Sequence, residues 1–136
     1  MEALPLRLSP GADIRVALEA EVAARGHPAA FVISGIGSLA GARLRLAGAA
    51  EAIHVSGALE VLTLTGTVAS NGSHLHMIVA DSEGRVTGGH VAPGCVVRTT
   101  MEILIVFLSG WSFSREFDPA TGFAELVALR RGSQAA

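Results

Sequence analysis

The chain has 136 residues, half of them hydrophobic and only 16% charged, with a formal net charge of −2 at neutral pH and a mean hydropathy of +0.50. That length suits one domain whose core closes without disulfides, and the lone Cys95 rules out an intrachain disulfide. A slightly acidic chain without lysine excludes a general affinity for the phosphate backbone, and its apolar excess points to surface covered by further copies of itself.

In chain order, Leu4, Leu6 and Leu8 alternate with Pro5, Arg7 and Ser9, as a half-buried strand does. Pro10 and Gly11 then turn the chain. From Asp13 to Arg25, Ile14, Ala17, Leu18 and Val22 fall on one helical face, with Asp13 as the N-cap and Gly26 as the stop. Everything beyond Pro28 reads as strands: 30–34, 43–47, 52–55, 58–69, 74–80, 85–90, 96–107 and 123–129. Residues 1–128 form one unit and 129–136 a frayed tail. The expectation is an α+β domain built on a mixed, mainly antiparallel sheet of about seven strands with one packed helix.

No membrane-spanning helix is expected. Residues 61–80 lack charge but carry Thr63, Thr65, Ser70, Asn71, Ser73, His74 and His76, and residues 103–107 make only a strand's length. The N-terminus has neither a basic n-region nor a long apolar one, so a cytoplasmic location is expected.

Gly35-Ile-Gly37-Ser-Leu-Ala40 follows a strand and matches a dinucleotide-binding pattern in letters alone. The pattern needs a helix to start there, and Ala42–Leu46 alternates with period two instead. No cofactor is assigned to it, and the glycines are read as a turn where backbones approach closely.

The histidines carry more. His74 and His76 project from the same face of one strand. A three-residue loop with a G1 bulge at Gly84 pairs Asp81 with Arg85, and the register then sets His76 opposite His90. A two-residue loop would put His90 opposite Leu75 and disperse the cluster. Three neutral imidazoles on one face suit a divalent transition ion such as zinc, with an open position; Glu102, Asp81 or another subunit are candidates for the fourth ligand.

His27 and His54 read as surface or core fillers. Ser38, Ser70, Ser73 and Cys95 have no activating neighbour in sequence, so no catalytic residue is assigned; Cys95 is a small core residue. Arg43 and Arg45 share a strand face and Arg130 and Arg131 make a second basic pair, without interleaved aromatics, as solvated arginines do.

Three stretches, Gly66–His76, Ala80–Gly94 and Thr99–Glu102, closely resemble the plant and prokaryote conserved (PPC) domain. Phe31–Ser38 and Phe117–Phe123 fit the same family in order, so the resemblance covers nearly the whole chain. It implies a mainly antiparallel sheet with a packed helix and a homotrimer. The His-x-His and Gly-Gly-His signature of stand-alone prokaryotic members maps a metal site onto His74, His76 and His90.

Plant members are fused to AT-hooks and act as transcriptional regulators. This chain has no Arg-Gly-Arg-Pro hook, and Gly57-Ala-Leu-Glu-Val-Leu62 stands where the plant domain has Gly-Arg-Phe-Glu-Ile-Leu. The resulting expectation is a DNA-associated or regulatory protein with a three-histidine metal site. The alternative is a metal-dependent enzyme or small-ligand sensor working at a trimer-interface pocket.

Overall fold

A computed structural model describes residues 1–132. Eight strands and one helix follow in the order β1 (Glu2–Leu8), α1 (Ile14–Ala24), β2 (Ala29–Arg45), β3 (Ile53–Ala69), β4 (Gly72–Ala80), β5 (Val86–Val91), β6 (Val96–Phe107), β7 (Trp111–Asp118) and β8 (Phe123–Arg130). Six strands form one sheet in the order β1-β6-β2-β3-β4-β5, and β7 and β8 form a separate hairpin. Each of these ladders is antiparallel. The sheet also curls back on itself, because the end of β2 pairs with β5 through Leu44–Val91 and Arg45–His90.

The helix forms where the periodicity places it. Ile14, Leu18 and Val22 are buried, and the Asp13 carboxylate accepts the Val16 amide at 3.2 Å, satisfying one of the donors a helix start leaves free. Gly26, at φ +65°, ends it. On β4 the alternation is strict: Ser73, Leu75, Met77 and Val79 face the core, leaving His74, His76 and Ile78 on the outside.

Four sequence expectations change. The short strands at 30–34 and 43–47 are one continuous β2, and those at 52–55 and 58–69 are one β3, since bulges bend a strand without ending it. Gly35 and Gly37 therefore lie in mid-strand rather than in a turn. The close approach itself is real: a Cβ on Gly37 would stand 2.2 Å from the Thr100 carbonyl oxygen. An unforeseen strand, β7, raises the count to eight; its pattern of Trp111, Phe113 and Phe117 is interrupted by Arg115 at the apolar position between them.

On β6, Val97, Met101, Ile103, Ile105 and Phe107 fill the chain's own core. Finally, Leu129 and Arg130 pair with Ser112 and Trp111, so the frayed tail does not begin at 129, and its last four positions, 133–136, lie outside the described residues.

Candidate metal centre

The β4–β5 connection decides the site. The Asp81 amide donates to the Arg85 carbonyl at 2.9 Å, and Gly84 occupies the left-handed region at φ +78°. This is the three-residue loop with its G1 bulge. The Asp81 carboxylate holds it, accepting from the backbone amides of Glu83 and Arg85 and from Arg85 Nε, each at 2.9 Å. The register that follows sets His76 opposite His90.

His74, His76 and His90 consequently meet on the outer face of the sheet, each offering a ring nitrogen within 4.8 Å of the other two. The Nε2 atoms of His74 and His76 are 3.0 Å apart. Because β5 pairs with both β4 and β2, Arg45 of β2 is His90's neighbour on the other side. That closure depends on Gly89, where a Cβ would stand 2.8 Å from the Arg45 carbonyl oxygen.

The environment keeps two rings neutral. Burial, then the proximity of His74, Arg45 and Arg15, pulls His90 down to about 4. His74 is lowered by burial, by His76 and by Arg115. Neutral imidazole is the form that binds a metal ion. The donor set also has an unmet need: the buried Nδ1 of His90 has no hydrogen-bond partner. Its other nitrogen, Nε2, faces Arg15 Nη1 at 3.5 Å, a long contact. Three imidazole donors, with His90 Nδ1 left unpartnered, fit a transition ion of the zinc type.

The lowered values have a consequence for stability. Between about 4 and 6.5 the unfolded chain binds protons that folded His90 refuses, so its contribution is complete above 6.5 and is lost as the pH falls through that window. In metal-free protein the melting temperature should hold steady above pH 7 and decline from pH 6.5 to 4. Thermal melts of His90→Gln across the same range should show a shallower decline, and an unchanged slope would show that His90 is not the titrating group.

Neither acidic candidate for a fourth ligand joins the cluster. Asp81 is committed to its turn, and Glu102 lines a separate depression with Ile36, Glu60 and Leu62. The carboxylate at the histidine cleft is Glu125 of β8, which the sequence reading missed along with Arg15 and Arg115. No local signal marks them, because they reach the site from the helix and from the hairpin. The remaining candidates sit apart. His27 packs on the Phe107 ring at 4.9 Å, and His54 pairs with Arg43 across β3 and β2. Cys95 is fully buried, and burial pushes its thiol up. The hydroxyls of Ser70 and Ser73 donate to the Phe113 carbonyl and the Glu19 carboxylate, and that of Ser38 bonds with the Thr99 hydroxyl, all structural ties.

The Plants and Prokaryotes Conserved (PCC) domain matches residues 1–109. The bifunctional protein GlmU of a Synechococcus strain is 47% identical over 122 residues, covering 90% of this chain and 20% of that protein. The chain thus spans about a fifth of the length of the curated relatives it matches. Among solved structures, a hypothetical protein from Salmonella superposes with a TM-score of 0.92 at 38% identity, covering 96% of this chain and 94% of that one. A metal-containing protein from Archaeoglobus fulgidus gives 0.79 at 27% identity, with 93% and 94% covered. A candidate DNA-binding protein from Bacteroides thetaiotaomicron gives 0.83 at 22%, with 92% and 91% covered, and shares the fold.

Proposed function

The chain belongs to the Plants and Prokaryotes Conserved domain family, and from that premise we propose that it is a metal-binding domain in which His74, His76 and His90 hold a divalent transition ion, most simply zinc. The convergence of three imidazole nitrogens within 4.8 Å carries this reading. The metal-containing relative from Archaeoglobus supports it. Bound there with an open position, zinc supplies Lewis acidity and a lowered pKa for its water. The chain's own residues set the surroundings: β4 and β5 aim the rings, and Arg45, Thr63, Thr65 and Ile78 wall a cleft of about 510 Å³ over them. A small-ligand sensor or metal-dependent enzyme is the role this arrangement suits. Elemental analysis of purified protein tests it, with one zinc-type ion per chain expected; absence of any ion, together with no uptake on titration with zinc, would remove the reading.

We also propose a homotrimer. Ile36, Leu62 and Leu104 stand on the sheet face away from the helix, 53%, 51% and 36% exposed, around Ser34, Glu60 and Glu102. A second copy on this face would remove that apolar area from water. Ile36→Glu combined with Leu104→Glu should convert a trimer to a monomer in light scattering; an unchanged mass would show that this face is not the interface.

A DNA-associated, regulatory role is the second reading, favoured by the description of the Bacteroides structure and by the exposed Arg43 beside Arg45 on β2. It requires a shift of random duplex DNA at low salt that is lost at high salt. No shift at low salt would eliminate it.

A further inference from the structure

Beside the histidines lies a second, larger cleft of about 930 Å³, formed where the segment after β2, the β3–β4 turn and the β7–β8 hairpin come together. It shares Arg45, His74 and His90 with the first cleft, so the two are continuous at the imidazoles. Its lining carries three arginines, Arg15, Arg45 and Arg115, against one carboxylate, Glu125. In a chain whose net charge is −2, this is a local concentration of positive charge.

The arginines differ in how far they are satisfied. Arg15 is neutralised by Glu19 at 3.1 Å and donates to the Val91 carbonyl. Arg45 makes one hydrogen bond, to the Ala49 carbonyl at 3.3 Å, and Arg115 one from its side chain, to the Thr67 hydroxyl. Among the described residues neither has a carboxylate within ion-pair distance.

Arg115 is nonetheless held in place. Its backbone amide donates to Asn71 Oδ1 at 2.7 Å, and its carbonyl accepts from Asn71 Nδ2 at 2.9 Å. Among the described residues, the two buried side-chain polar atoms with no partner are His90 Nδ1 and Arg115 Nε, and both residues line this cleft. Buried polar groups are ordinarily satisfied, so two orphans at one cleft mark a place completed by something other than the chain.

We propose that this cleft binds a small oxyanion, a phosphate or carboxylate group, on the guanidiniums of Arg45 and Arg115 beside the ion held by the histidines. The inference rests on the three-histidine reading and names the ligand class for its open side. Guanidinium offers parallel N–H donors that match the oxygens of such groups, and unpaired arginines bind them without first breaking an ion pair. A neutral substrate would leave both charges uncompensated.

Calorimetric titration of zinc-loaded protein with inorganic phosphate and, separately, with succinate tests this, using sodium chloride at matched ionic strength as control. Saturable binding of at least one is expected, weakened tenfold or more in Arg45→Gln and in Arg115→Gln while each variant keeps its zinc. The tighter of the two anions identifies the source as phosphate or carboxylate. If Arg115→Gln fails to fold, Arg45→Gln carries the test, since its side chain makes one hydrogen bond, to the Ala49 carbonyl, and none to a buried group. Heats no different from chloride, or equal binding by wild type and Arg45→Gln, would overturn the inference. Zinc uptake with no anion binding leaves the metal reading standing; anion binding by a chain that takes up no zinc leaves the arginine site and removes the metal.

Discussion

His76→Ala is expected to cost the protein its metal ion while leaving it folded. His76 lies 3.0 Å from His74 through their Nε2 atoms and stands opposite His90 in the ladder. Its removal leaves two imidazoles, a set that does not compete with water for zinc as three do. Partners that merely orient a ligand are worth about 10–100-fold in metal affinity, so loss of a ligand should exceed roughly a hundredfold. The fold should survive because His76 is exposed and its neighbours on β4, Leu75 and Met77, carry the core packing. Circular dichroism and zinc titration read the two effects separately. A substituted protein that retains a full equivalent of tightly bound zinc would show that the ion lies elsewhere.

Gly89→Ala should produce the largest combined loss of stability and of metal binding. The added Cβ would meet the Arg45 carbonyl oxygen at 2.8 Å and the Leu44 side chain at 3.5 Å. Neither can move freely, since Leu44 is fully buried and its strand pairs with β5 at that point. Relief comes by parting β5 from β2, which carries His90 away from Arg45 and turns its ring from the other two. Overpacking of this kind costs about 1–3 kcal/mol. Denaturant unfolding should show that loss, with zinc affinity reduced in the same protein. The same substitution at Gly48, where a Cβ has open space but φ is +70°, controls for backbone strain alone and should leave the zinc affinity unchanged. Equal zinc affinity in Gly89→Ala and wild type would show that the β2–β5 closure does not position His90.

Much of this was readable before any coordinates. The helix is local physics: an Asp cap, an apolar stripe and a Gly stop lie within fourteen residues, and each acts on its own segment. The His76–His90 pairing was also accessible, because one hairpin loop sets the register of everything beyond it and Gly84 selects the loop. The merging of strands into β2 and β3 was not, since a glycine or bulge inside a long strand looks like a turn until partners on both sides hold it straight. Strand β7 escaped because Arg115 breaks its apolar alternation for a reason found only in the tertiary fold, where its side chain meets Thr67 of β3.

The sequence by itself therefore determined the helix, the antiparallel hairpins and the three histidines, all consequences of periodicity and turn chemistry between chain neighbours. Tertiary structure alone decided what surrounds the histidines. Arg15, Arg45, Arg115 and Glu125 come from a helix, a distant strand and a separate hairpin. Their meeting depends on the curl that brings β5 onto β2 and on the docking of β7. Both are long-range events, governed by packing and close backbone approach, which no local pattern of side chains encodes.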